Sequence, residues 1–287
     1  MIESRFLHED FVFSPIRPPA SGFGQTGWIE RGSRTSVEPP AWVVVTGASR
    51  GIGRATSLKL AEAGWNVLVH ARSRLDLAEQ TCDRVRHLGR QARTLILDLS
   101  DHAQIPSFVD QAWKLPAPPT AWVHNAGVDL LTGDAASLPF EEKLRQAIEV
   151  DLVGSMLTCR AVGRKMLEHP AGGSIVTIGW DQSETGMEGD SGEIFGAVKG
   201  AITCFSRSLA RSLAPKVRVN CVAPGWIQTA WGEQASDYWQ QRVKAETPLE
   251  RWGTPDDVAA TITFLLSKPA NFLTGQTIRV NGGVVRQ

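Results

Sequence analysis

From Trp42 to the C-terminus, short unbroken apolar runs alternate with amphipathic stretches of helical length. The runs are Trp42 to Val45, Asn66 to His70, Thr94 to Leu97, Ala121 to His124, Ser174 to Ile178, Val217 to Val222 and Thr277 to Val280. An apolar run without alternation suits a strand covered on both faces, and a helix between successive strands makes each connection a right-handed crossover. The pattern predicts an α/β fold: a doubly wound, seven-stranded parallel sheet with helices on both faces, in a single domain over residues 41–287. The longest amphipathic stretches are Phe140 to His169 and Phe195 to Ala214.

Residues 1–40 carry no sustained period of two or 3.6 and contain Pro15, Pro18, Pro19, Pro39 and Pro40. They read as an extension, either a disordered or surface-hugging arm or, through Phe6, Phe11, Phe13, Ile16, Phe23 and Trp28, an arm that bridges subunits. The 30 basic residues balance the 30 acidic ones, which argues against nucleic acid or an anionic membrane as partner. Cys82, Cys159, Cys204 and Cys221 are scattered in apolar stretches without metal-ligand spacing, so no metal site is expected and a reducing compartment is. The start of the chain lacks a basic segment followed by an apolar one, and no stretch is long enough to span a bilayer. A cytoplasmic location is the expectation.

The first run leads into Thr46-Gly47-Ala48-Ser49-Arg50-Gly51-Ile52-Gly53, and a helical stretch follows at once. Glycines at such a strand-to-helix turn let backbone approach a pyrophosphate, and the helix start offers free N–H groups. The G-x-x-x-G-x-G spacing resembles the short-chain dehydrogenase/reductase family, and further motifs occur in that family's order. Asp98 and Leu99 match its adenine-contacting segment. Asn125-Ala126-Gly127 matches its N-A-G turn, with His124 where a further asparagine is common. Pro224, Gly225, Ile227 and Thr229 match its P-G-x-x-x-T segment, and Asn281-Gly282-Gly283 its C-terminal turn. The resemblance implies a Rossmann fold, a nicotinamide dinucleotide held by Gly47, Ser49, Arg50, Gly51, Ile52 and Gly53 together with those later motifs, and a homodimer or homotetramer built on the two long helices.

The end of the second strand reads His70-Ala71-Arg72-Ser73-Arg74, with no acid to accept from an adenosine ribose 2′-OH. Arg72, with Arg50, forms a candidate clamp for a 2′-phosphate, so NADP(H) is favoured over NAD(H). The alternative is that both arginines decorate solvated turns.

In the resembled family a tyrosine moves the substrate proton, and a lysine one helical turn later binds the nicotinamide ribose and lowers the tyrosine's pKa. A serine orients the substrate oxygen and an asparagine holds a connecting water. Here Lys199 is present, but Phe195 stands at the tyrosine position. Trp180 occupies the serine position after the fifth strand, with Ser183 as the alternative when counting back from Phe195, and Asp151 occupies the asparagine position. Asp151 is also placed to pair with Lys199 as a structural ion pair.

Three readings follow. The first is an NADP(H)-binding family member, nominally a carbonyl/alcohol oxidoreductase acting on a small molecule, with an atypical or silent catalytic site. The second is a pseudoenzyme that stabilises a partner subunit or senses the NADP(H) ratio. The third is a non-redox or acid-assisted enzyme using the loop that carries Asp181, Glu184, Glu188, Asp190 and Glu193, whose carboxylates would raise one another's pKa if crowded. The single tyrosine, Tyr238, is a candidate substitute acid, or packing. Trp226, Trp231, Trp239 and Trp252 either line a substrate pocket or pack the lid.

Overall fold

A computed structural model describes residues 41–284. The N-terminal extension read from residues 1–40 lies outside the described residues. The first half of the chain runs β1 (Trp42–Val45), α1 (Gly51–Glu62), β2 (Asn66–Ala71), α2 (Leu75–His87), β3 (Ala92–Ile96), α3 (Ile105–Ala112) and β4 (Ala121–His124). The second half runs α4 (Phe140–Gln146), α5 (Ser155–Glu168), β5 (Gly173–Ile178), α6 (Asp190–Leu213), β6 (Val217–Pro224), α7 (Ala230–Gln234), α8 (Asp237–Glu246), α9 (Pro255–Leu266) and β7 (Thr277–Val280).

All seven strands pair in parallel, in the order β3-β2-β1-β4-β5-β6-β7, and six of the sequence-predicted runs coincide with or lie within the observed strands. The third begins two positions earlier than the apolar run because β3 is an edge strand, half-exposed along most of its length. Unbroken hydrophobicity has the expected cause. Val43, Val45, Val67 and Val69 enter a core with α1, α2 and α9, whereas Trp42, Val44, Leu68 and Trp122 enter a second core with α3, α5 and α6. The strand order reverses between β1 and β4, which opens a crevice at the carboxyl ends of those two strands.

Two helices differ from expectation in ways that shape the site. The stretch from Phe140 is interrupted over Ala147–Gly154 by a π-helical segment, a form that often occurs at functional sites, and this segment carries Asp151. The stretch containing Phe195 begins at Asp190, after Gly189 at φ 87°. Asp190 and Glu193 therefore belong to the first turn of a 24-residue helix, where the helix dipole favours negative charge.

Candidate functional site

The glycine-rich turn is held by side chains at the carboxyl ends of three strands. Thr46 Oγ1 accepts from the backbone N–H groups of Asn125 and Ala126, both at 3.0 Å, and Asn125 Nδ2 donates to the carbonyls of Thr46 and Gly47, both at 3.1 Å. A Cβ on Gly53 would lie 2.2 Å from the Gly47 carbonyl oxygen, and one on Gly47 would lie 2.8 Å from Ala126 Cα. These glycines let α1 start directly against the Asn125-Ala126-Gly127 turn. Arg50, the residue preceding α1, makes no side-chain cap, and the first turn of α1 carries no acid, so its positive end has no capping oxygen or acid of its own.

His70 is a functional-site residue that the motif reading passed over. It is buried, and its Nδ1 accepts from the Gly47 N–H at 3.3 Å while its Nε2 lies 3.0 Å from the Leu97 carbonyl. Those partners require the neutral ring with its proton on Nε2, and burial holds the pKa down at about 4. His70 thus ties the glycine turn to the end of β3. Its signal in the sequence is an imidazole near the carboxyl end of a buried strand.

Two adjoining cavities run along the carboxyl edge of the sheet. One, of about 620 Å³, is lined by Gly47, Ser49, Arg72, Asp98, Leu99 and Ala126 among others. The second, of about 660 Å³, includes Gly51, Ile52, Thr229, Trp231 and Phe195. Arg50, Asn125 and Gly127 face both. Pro224, Gly225 and Ile227 stand behind these walls. Gly225 packs against Asn281 and Asp181, and Ile227 is buried and bridged to Gly253. Asp98 accepts from the backbone N–H and hydroxyl of Ser100, which fixes its turn. Arg50 is exposed and pairs with Asp129 at 3.3 Å, whereas Arg74 is bound to Asp76. Arg72 has no ion-pair partner among the described residues.

The corner around Phe195 and Lys199 is built on an aromatic contact and an ion pair. The Phe195 ring meets Trp180 edge to face, with centroids 6.4 Å apart, so Trp180 is the residue that confronts position 195. Ser183, in the short helical turn Asp181–Ser183 ahead of α6, packs against Gly200, beyond Phe195 on that helix, and its hydroxyl donates to the Trp180 carbonyl at 2.8 Å. Lys199 Nζ lies 2.9 Å from Asp151 Oδ2, and the other oxygen of this buried carboxylate accepts from the Val128 N–H at 2.7 Å. The ion pair anticipated from the sequence is present.

The acidic loop does not form a carboxylate cluster. Glu184 pairs with Arg207 and Arg279, Glu188 pairs with Arg242, and Asp190 and Glu193 are exposed on α6. Asp181 alone is buried, with Asn281 Nδ2 donating to its Oδ2 at 3.1 Å while Oδ1 has no partner among the described residues. Burial, rather than another carboxylate, raises its pKa to about 6. Because the folded value lies above the ordinary 3.8, the ionised group opposes folding above pH 6 and the penalty disappears as pH falls below about 4. Asp181→Asn is therefore expected to raise stability by about 1–3 kcal/mol at pH 8 and to leave it unchanged at pH 4, as read from urea midpoints of the two proteins.

Tyr238 is on the exposed side of α8, with its hydroxyl near Arg242, and lines neither cavity beside Phe195. The substitute-acid idea is thereby corrected: α8 turns this phenol outward. Trp226, Trp231, Trp239 and Trp252 pack on one another, with centroids 5.5–6.3 Å apart, and only Trp231 among them reaches the cavity of Phe195. Their main role is to pack the lid segment on the core.

A parallel sheet that changes direction beside a glycine-rich turn, with a retained helix lysine, defines the class of dinucleotide-binding oxidoreductase folds. Residues 47–285 match the family described as enoyl-(acyl carrier protein) reductase. The chain is 34% identical over 247 residues to an uncharacterized oxidoreductase of Escherichia coli, YgfF, covering 85% of this chain and 99% of that one. It is 35% identical over 246 residues to the 3-oxoacyl-[acyl-carrier-protein] reductase FabG of Aquifex aeolicus, covering 84% and 96%. A gluconate 5-dehydrogenase from Burkholderia cenocepacia, crystallised with NADP and tartrate, superposes with a TM-score of 0.76 at 26% identity, covering 85% and 94%. The chain belongs to the short-chain dehydrogenase/reductase family, among oxidoreductases of the 3-oxoacyl-carrier-protein reductase and carbonyl reductase kind. No described helix is long and apolar enough to cross a membrane.

Proposed function

We propose that this protein binds NADP(H) and has lost the tyrosine-dependent proton step of its family, so that nucleotide binding outlives ordinary carbonyl reduction. One observation carries the reading: an open glycine cradle adjoins a corner in which position 195 offers a phenyl ring against Trp180 and Lys199 is engaged by Asp151.

The residues fit a dinucleotide. The first turn of α1, from Gly51 and Ile52, would face its phosphates, Asp98 and Leu99 its adenine, and Asn125 to Gly127 its middle. Thr229 would contact the nicotinamide end, and Lys199 the adjoining ribose. When bound, the nicotinamide would supply hydride donation or acceptance. At the substrate oxygen, however, Phe195 has no proton to move, Ser183 has spent its hydroxyl on a carbonyl, and Trp180 replaces a small polar side chain with an indole. A role as a partner-stabilising subunit or an NADP(H) sensor rests on the same arrangement. The exposed Ile148, Met156 and Leu157, on and beside the helical segment that follows Phe140, support self-association, and a cytoplasmic setting fits the four unpaired cysteines.

Preference for NADP(H) rests on Arg72, which lines the 620 Å³ cavity and has no ion-pair partner among the described residues. A charge-assisted contact contributes about 1.5–3 kcal/mol. Arg72→Ala is accordingly expected to weaken NADPH binding about tenfold or more and to leave NADH binding unchanged, as measured by fluorescence titration with both nucleotides. Equal losses for the two nucleotides would reject the assignment of Arg72 to the 2′-phosphate.

A further inference from the structure

The cavity beside Phe195 extends beyond the residues that a dinucleotide needs. Its floor continues along α1 through Ala55 and Leu58, and it reaches Arg84 on α2 and Asp256 at the start of α9. Leu58 is a partly buried apolar residue packed on the core, and with Leu131, Trp231 and Phe195 it gives this cavity apolar walls. Two further lining residues are basic. Arg54 is half-buried and anchored through Nε and Nη2 to the Ser49 carbonyl, so it cannot move away from the turn without breaking that contact. Arg84 is exposed and its side chain makes no hydrogen bond or ion pair among the described residues. Neither guanidinium has a carboxylate within ion-pair distance among the described residues, although Arg50, on the same cavity, pairs with Asp129. The two charges act on each other: burial first, and then the nearby Arg84, lowers the Arg54 pKa. Glu233 on the lid and Asp256 line the same cavity and disfavour an anion beside them, which leaves the two arginines as its place.

Two like charges that line one cavity with apolar side chains and act on each other, without counter-ion among the described residues, are complementary to a ligand with the reverse pattern. We propose that Arg54 and Arg84 form an anion subsite of the ligand pocket, which selects small molecules with an apolar body and a terminal carboxylate or phosphate. This rests on the preceding reading only in taking the cavity of Phe195 as the ligand side of the nucleotide site.

Arg84 is the residue to change, since Arg54 also supports the glycine turn. Calorimetric titration of the full-length protein, with and without saturating NADPH, would use hexyl phosphate, hexanoate and hexanol as probes. Hexyl phosphate and hexanoate distinguish the two anion sources, and hexanol lacks the charge. At least one anion is expected to bind about tenfold or more tightly than hexanol in the NADPH-saturated protein. Arg84→Glu is expected to remove that advantage while NADPH affinity and hexanol binding stay as in the parent. Equal binding of all three probes, or anion binding insensitive to Arg84→Glu, would overturn the proposal. Parallel loss of NADPH affinity would also overturn it, because the arginine would then serve the nucleotide. Absence of NADPH binding alongside Arg84-dependent anion binding would reject the nucleotide reading and leave the anion subsite standing.

Discussion

Phe195→Tyr is expected to raise NADPH-dependent reduction of a small diketone by about 10²-fold over the parent protein. A positioned general acid contributes about 10²–10⁴-fold, and two features of this corner place the expectation at the lower end. Trp180 crowds the ring at 195, and Asp151, 2.9 Å from the Lys199 ammonium, offsets the positive charge that would lower a phenol's pKa. Phe195 itself lines the 660 Å³ cavity, so an added hydroxyl has space. Adding Trp180→Ser and Asp151→Asn should increase the gain stepwise, read as initial rates of NADPH consumption. If none of these variants gains activity, nicotinamide and carbonyl are not presented together beside position 195.

The second large effect concerns stability. Lys199→Met leaves the Asp151 carboxylate, only 1% exposed, with the Val128 N–H as its remaining partner. Breaking a buried pair from one side costs about 3–5 kcal/mol, far more than losing an exposed one. Lys199→Met should lower the unfolding midpoint accordingly, and Lys199→Met with Asp151→Asn should recover most of the loss. Equal destabilisation in the single and double variants would show that the lysine is retained for another reason. The pair therefore gives Lys199 a structural role independent of hydride chemistry, in a position where the family resemblance alone suggests a catalytic remnant.

The framework was legible in the sequence because a parallel sheet writes itself as unbroken apolar runs, and Val43 and Val44 face different cores yet both need to be apolar. The glycine turn was legible for a related reason: Gly47 and Gly53 sit where a Cβ would meet backbone. What escaped the reading depends on partners distant in the chain. Glu184 and Glu188 look like neighbours in an acidic loop until Arg279 and Arg242 arrive from β7 and α8. Asp190 and Glu193 read as loop because Gly189 precedes them, although the dipole of α6 suits them as first-turn acids. Tyr238 has no local feature that tells which way α8 will turn it. His70 was hidden in the opposite way, since a histidine near the end of a strand carries no motif and its role appears only when Gly47 and Leu97 meet its two nitrogens.

Retained nucleotide binding without tyrosine-dependent turnover can be followed in one cuvette by NADPH fluorescence. The parent protein should give a saturable change on titration, and the signal should then stay level after a diketone is added, while the Phe195→Tyr variant consumes NADPH. A parent protein that oxidises NADPH as fast as the Phe195→Tyr variant, or that shows no saturable change at all, would contradict this.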